Sequence, residues 1–313
     1  MSFFSLTFLI FVLILAALYF LIPGKYQWIL LLAGSYVFYI WAGGWRASLF
    51  LITTTVTVFA GGLIMDRIAE SYSRNKPEDK KEQKKQKALI QKKKRVVMVV
   101  VLLLNLLILG AVKYAAFVFE QLNALFSAAG SSLTLSIPKL LLPLGISFYT
   151  FQSLGYLIDV YRGRVKADRN FFQFALFLSY FPQIVQGPIS RYGQLAHQLY
   201  EAHSFDYARV RSAIMRIMWG FFKKLVIADR IAVIVNEVFG NYSTKGYTGF
   251  IVFTGALLYS IQIYADFSAG MDITIGLSEM LGITHTENFR QPFMAKSVAE
   301  FWRRWHKIGR AHV

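Results

Sequence analysis

Residues 3–22, FFSLTFLIFVLILAALYFLI, carry no charge over 20 positions. A helix of that length, at ~1.5 Å per residue, crosses a hydrocarbon core of ~30 Å. The run has no basic flank ahead of it and no small-residue cleavage site behind it, and more apolar runs follow, so it reads as a membrane span and not as a leader. Trp28–Trp41, Ala47–Met65, Val96–Val112, Leu140–Val160 and Phe250–Ala265 are the later candidates. With no water to satisfy the backbone inside a bilayer, such a succession predicts an all-α integral membrane protein. The hydroxyls of Thr53–Thr55 are compatible with this, because they can bond carbonyls of their own helix. Composition agrees: 56% of the 313 residues are hydrophobic and only 16% are charged.

The net charge of +17 would point to nucleic acid in a soluble chain. In a membrane protein it points to basic loops and anionic lipid, and no nucleic-acid partner is expected. The chain has no cysteine, which removes disulfides, thiolate metal sites and a cysteinyl acyl-enzyme from this segment.

Arg74–Arg95 holds eleven Lys and Arg against Glu78, Asp79 and Glu82. It reads as a solvated loop, cytoplasmic by the positive-inside rule, which places the N-terminus outside. Arg162, Arg164, Lys166 and Arg169 follow the Leu140–Val160 span on the same side. Gly130–Pro138 is the polar outer loop between. Phe171–Pro188 is apolar but interrupted by Pro182, Gln186, Gly187 and Pro188. Such a stretch survives at membrane depth only where protein or water covers it, so a re-entrant or funnel-lining segment is expected. Arg209, Arg216, Lys223 and Arg230 recur every seven residues opposite Val210, Ile214, Ile217, Met218, Phe221 and Leu225. This is helical spacing, and it reads as an amphipathic helix in the interface with its basic face outward. No internal repeat is evident, which weighs against transporters built from inverted repeats.

Three clusters bear polar residues that need a reason to sit near a bilayer. In Phe181–Arg191, FPQIVQGPISR, two glutamines can bond carbonyls freed by the prolines. In Tyr264–Asp272, YADFSAGMD, Asp266 and Asp272 flank Ser268 and Gly270. They read as helix caps or partners of basic residues, with an acid/base pair as the sharper alternative, and no third ligand for a metal is nearby. In Asn288–His306, NFRQPFMAKSVAEFWRRWH, Ser297 and Glu300 form a capping box that starts a helix at Val298. On it Phe301, Trp302 and Trp305 make an apolar face, with Arg303 and Arg304 near headgroups. His197, His203 and His285 sit in polar segments and His312 in the tail. Only His306 follows an aromatic face, where a histidine can act as general base towards a hydroxyl.

These motifs, in order, resemble the membrane-bound O-acyltransferase (MBOAT) family, in particular its bacterial alginate O-acetylation branch. The stretches that carry the resemblance are LPLGISFYTFQSLGYLIDVYRG (Leu142–Gly163), SYFPQIVQGPISRY (Ser179–Tyr192), GFFKKLVIADRIA (Gly220–Ala232), YSIQIYADFSAGMDITIG (Tyr259–Gly276) and ENFRQPFMAKSVAEFWRRWH (Glu287–His306). The resemblance implies a ring of transmembrane helices over 1–306 as one membrane domain, with 74–95 a basic cytoplasmic loop within it. It implies transfer of an acyl group, acetyl, from a cytoplasmic thioester donor (acetyl-CoA or an acyl carrier protein) to hydroxyls of a cell-surface polysaccharide at a bacterial plasma membrane. No bound cofactor or metal is implied, and an extracellular acetyltransferase or an acyl carrier protein is the implied partner. Of two family histidines, one maps onto His306; the second lies in a later helix with no counterpart here. Gln186, Asp266, Ser268 and Asn288 are the channel or support candidates. D-alanyl transfer from a carrier to teichoic acid, and a transporter using the same funnels, are the alternatives. After His306 the sequence KIGRAHV departs from the family. Ile308–Val313 is what one frame of a common sequencing adapter encodes, so 307–313 is expected to be a non-native tail on an incomplete, potentially inactive domain.

Overall fold

A computed structural model describes residues 5–74, 79–131, 133–137 and 142–305. His306 and the 307–313 tail lie outside the described residues, as do Pro77 and Glu78 of the basic stretch. The helices, in chain order, are α1 (Leu6–Leu21), α2 (Gln27–Gly43), α3 (Trp45–Arg74), α4 (Lys80–Ala128), α5 (Ile146–Tyr161), α6 (Phe171–Ser179), α7 (Phe181–Gln186), α8 (Tyr192–Tyr200), α9 (Tyr207–Phe222), α10 (Asp229–Gly240), α11 (Tyr242–Lys245), α12 (Gly249–Met280) and α13 (Val298–Arg304). A π-helical segment, Lys223–Ala228, joins α9 to α10. There is no strand among the described residues. Three helices, α3, α4 and α12, are long and apolar enough to cross a membrane, and α1 is a shorter apolar helix.

The chain forms two compact units. Among the described residues, one comprises 31–184 and Arg191–Ala196; the other comprises 5–30, Val185–Ser190 and 197–305.

In the first unit α3 packs on α4, α5 and α6. Thr53 and Thr55 donate to the carbonyls of Leu49 and Leu51, as their spacing suggested. Asn105 of α4, buried, donates to Thr57 of α3 at 3.1 Å and to the Val101 carbonyl at 2.9 Å. A polar tie of this kind holds helices together where lipid gives no hydrophobic drive. Residues 80–95, expected as a loop, are the first turns of α4. Lys, Gln and Glu are good helix formers, neither Gly nor Pro interrupts them, and Asp79 caps the start by accepting from Lys81 N at 3.2 Å.

The interrupted segment after Phe171 is buried, and its gaps are filled. The chain breaks at Tyr180 between α6 and α7; there Phe181 N donates to Ser35 Oγ at 3.1 Å. Gln152 of α5 donates to the Phe177 carbonyl at 3.0 Å and accepts from Gln183 at 3.0 Å. Gln183 thus bonds another side chain, where sequence suggested a freed carbonyl. Gly145 starts α5 at φ 65, and a Cβ there would sit 2.0 Å from the Ile184 carbonyl oxygen, so no other residue fits.

In the second unit α9 lies along α12. Small residues permit the approach. A Cβ on Gly220 would come within 2.9 Å of the Ala269 carbonyl oxygen, and one on Gly276 within 3.0 Å of the Ala213 oxygen. The amphipathicity of α9 is the reverse of the expected one. Arg216 and Lys223 turn inward onto α12, while Ile214, Met218, Trp219 and Leu225 are exposed. Facing lipid, an apolar stripe costs nothing outward, and charges must find partners inside. Helix α12, expected to stop near Asp266, runs on to Met280. Asp266 and Asp272 are therefore mid-helix ion-pair partners and not caps.

Candidate functional site

The second unit contains a cavity of about 940 Å³ between α12 and the segment that folds back over it, residues 287–304. Its floor is an ion network. Lys223 Nζ lies 2.5 Å from Asp272 Oδ2 and donates to Ser268 Oγ at 2.8 Å. Arg216 behind it spreads three nitrogens over three carboxylates: Asp272 at 3.2 Å, Glu279 at 3.0 Å and Glu287 at 2.7 Å. The sequence places this network by rhythm. Arg216 of α9 and Lys223, the first residue after it, are seven apart, as are Asp272 and Glu279 on α12, so both pairs repeat on facing sides every two turns.

The cavity's other wall is Asn288–Gln291. Asn288 is buried, with its amide 3.3 Å from Met271 Sδ. Gln291 has φ 47, a left-handed conformation for a residue with a side chain, and it precedes Pro292, which disfavours helical backbone before it. Two ties hold this turn: Arg290 N donates to the Arg304 carbonyl at 3.0 Å, and Arg304 reaches the Gln291 carbonyl at 3.5 Å. Backbone held in such a region is characteristic of sites where geometry matters more than local ease.

Helix α13 starts at Val298 as expected, with Ser297 Oγ accepting from Glu300 N at 3.1 Å. Glu300 reaches one residue further back than a capping box requires, to Lys296 N. That N–H, with Arg304, holds the Glu300 carboxyl below the usual range. Trp305 stacks on Phe301 and meets Phe289 edge-on at 5.3 Å, so these rings pack on the protein, while Trp302 is exposed. Arg290 and Arg303 line the cavity and make no side-chain hydrogen bond or ion pair among the described residues, which leaves two guanidinium groups available to an anionic ligand.

Of the residues singled out from sequence, Ser268 and Asn288 meet in this cavity. Asp266 does not: it pairs with Lys224 at 2.7 Å, and Lys224 also takes Asp229 at 2.9 Å. Gln186 lies against the bare Cα of Gly270, where a Cβ would be 2.5 Å from its amide. Arg216 and Lys223 were not singled out as site residues because their seven-residue spacing looked like an outward-facing surface, and Glu287 was not singled out at all. His285 was set aside, yet it is held between two hydroxyls, Ser278 at 2.9 Å and Ser190 at 3.1 Å. Burial, and secondarily the Arg216 charge, push its pKa down to about 4. Among the described residues no three His, Asp or Glu side chains gather as a metal set.

The model of the MBOAT, membrane-bound O-acyltransferase family matches residues 164–308, which takes in α6 to α13 and the whole cavity. The protein named probable alginate O-acetylase AlgI of Azotobacter vinelandii is 38% identical over 291 residues, 92% of this chain and 53% of that one. The chain belongs to the membrane-bound O-acyltransferase family. A peptidoglycan O-acetyltransferase of Helicobacter pylori is 30% identical over 228 residues, 64% of this chain and 42% of its own length. A teichoic acid D-alanyltransferase of Bacillus subtilis is 29% identical over 174 residues, 52% of this chain and 41% of its own. The chain thus spans about half the length of the alginate O-acetylase relative. Family and helices together make it a multi-pass membrane protein.

Proposed function

We propose that the intact protein is a membrane O-acyltransferase that moves an acetyl group from a cytoplasmic thioester donor to hydroxyls of a cell-surface polysaccharide. The observation that carries this reading is the likeness to the alginate O-acetylase over 92% of the chain. The cavity supports it, being formed where the Asn288–Trp305 segment closes over α12 immediately before His306.

In this reading the acceptor hydroxyl oxygen attacks the thioester carbonyl carbon, the C–S bond breaks, and the thiol leaves with a proton. His306 takes the hydroxyl proton or orients it. Asn288 and Ser268 position the reactants from the cavity wall. Arg290 and Arg303 grip an anionic part of the donor, such as its phosphate. The Lys223–Asp272 pair fixes the α12 floor and is a positioning element. The basic start of α4 faces the cytoplasm and the N-terminus lies outside. Acetyl-CoA and an acyl carrier protein are both suitable donors, and an extracellular acetyltransferase is the expected partner.

The test uses the full-length protein in proteoliposomes with a radiolabelled acetyl thioester inside and a hydroxyl-bearing polysaccharide outside. Ester-linked label should appear on the polymer, and His306→Ala should abolish it. Protein that moves label across the bilayer without forming an ester would defeat the reading. The likeness to the teichoic acid D-alanyltransferase supports a second cargo, D-alanine from a carrier, which the same assay distinguishes by the label supplied.

A further inference from the structure

We infer that the groove between α3 and α4 is a binding site for the headgroup of an anionic phospholipid. This inference does not depend on the acyltransferase reading.

The groove has a volume of about 600 Å³ and is lined from α3 by Ile64, Arg67, Ile68 and Tyr72, and from α4 by Leu89, Ile90 and Lys93 among others. Its chemistry is two-sided. Four aliphatic side chains make a bed, and two cations and a phenol stand at it. No acidic residue lines it. Arg67 and Lys93 make no ion pair or hydrogen bond among the described residues, so their charge is not already spent. The acids of the same stretch of α3 are directed elsewhere: Glu70 is held by Arg169, and Asp66 lies near Tyr156. Tyr72 donates to the Gln83 carbonyl at 3.3 Å and so ties the two helices together at the groove.

Depth selects the occupant. The uninterrupted apolar part of α4 starts at Val96, and that of α3 ends at Met65. Lys93 is three residues before the first boundary and Arg67 two residues past the second. At ~1.5 Å per residue both cations stand about 3–5 Å outside the hydrocarbon, within the ~5–7 Å headgroup layer. A phosphate arriving there meets two uncommitted cations, while its acyl chain can descend along Ile64 and Ile68. Lys80, Lys81, Lys84, Lys85 and Lys87 on the outer turns of α4 raise the local concentration of anionic lipid, and the groove then selects one molecule from it. A free acidic protein would gain from the outer lysines but would have no use for Ile64 and Ile68, which stand within about 5 Å of the hydrocarbon boundary.

The test reconstitutes the full chain in phosphatidylcholine vesicles doped with phosphatidylglycerol that carries a diazirine near its headgroup. Irradiation should place label on peptides that contain Arg67–Tyr72 and Leu89–Lys93. The double variant Arg67→Gln/Lys93→Gln should lower labelling there roughly thirty-fold, the effect of two surface charges. The charge-matched double variant Lys81→Gln/Lys84→Gln should lower it less than about five-fold, since at ~1.5 Å per residue those lysines stand about 18–22 Å outside the hydrocarbon, where the surface potential has decayed over more than a Debye length of ~8–10 Å. Equal losses in the two variants would reduce the effect to diffuse attraction and overturn the proposal. So would equal labelling by a diazirine phosphatidylcholine. Unchanged elution on size exclusion and an unchanged circular dichroism spectrum show that each variant is folded.

Discussion

Replacing Asp272 by Asn removes the carboxylate shared by Lys223 and Arg216 while keeping its shape. At the 2.5 Å separation of Lys223 Nζ and Asp272 Oδ2, and an effective dielectric of about 20, the attraction is roughly 7 kcal/mol. Desolvation offsets much of it, because the two side chains are only 11% and 18% exposed. Removing one partner is worse than removing both, since it strands a buried charge. After Asp272→Asn, Lys223 keeps only Ser268, whereas Arg216 keeps Glu279 and Glu287. The expected cost is about 3 kcal/mol. Lys223→Met should cost less, about 2 kcal/mol, because Asp272 retains Arg216. The double variant strands no charge and should cost about 2 kcal/mol, below Asp272→Asn alone and not the sum of about 5, a coupling of about 3 kcal/mol. Reversible unfolding in mixed micelles, followed by tryptophan fluorescence, measures this, and Trp219 lines the same cavity. Strictly additive single variants, or an Asp272→Asn cost below about 1 kcal/mol, would refute the claim that a desolvated pair forms the floor.

Gly220→Leu should separate α9 from α12 and cost more than about 3 kcal/mol, whereas Gly110→Leu, where no atom lies within 4 Å, should be neutral in the same assay. His285 gives a pH signature. Its folded pKa, about 4, lies below the ordinary 6.5, so the unfolded chain binds the proton first as pH falls. Stability should be level above pH 6.5 and decline between 6.5 and 4, by on the order of 3 kcal/mol; His285→Gln should flatten that slope. Arg290→Gln and Arg303→Gln should each raise the KM of the full-length enzyme for its thioester donor about ten-fold with kcat nearly unchanged. A matching fall in kcat would place those groups at the reacting carbonyl instead.

The spans within α3, α4 and α12 were legible because length and absence of charge leave few alternatives, and Thr53 and Thr55 behaved as their spacing allows. The start of α13 was legible because a cap is a local device. What misled was direction. Alternation of basic and apolar residues on α9 says that the helix has two faces, but not which faces lipid. That is decided by Asp272 and Glu279, 56 and 63 residues after Arg216 in the chain. The loop reading of 80–95 failed because charge density signals solvent contact, and a helix standing out of a membrane has that too. Ser268 and Asn288, which line the cavity, stood out in the sequence because small polar groups in apolar surroundings are conspicuous. Lys223 did not, because a lysine is expected at a surface.

The π-helical segment Lys223–Ala228 bears on this as well. Its wider i→i+5 turns advance around the axis more slowly than α turns, so residues beyond it are rotated from where an unbroken helix would place them. Arg216 precedes the change of winding, Lys223 opens it, and both face α12. Arg230, the next member of the same seven-residue series, follows it and is exposed. The hydrogen-bond pattern of six residues therefore sets the length of the ion network: the beat continues in the letters of the sequence, but the helix has changed gear, and the next cation is delivered to the outside.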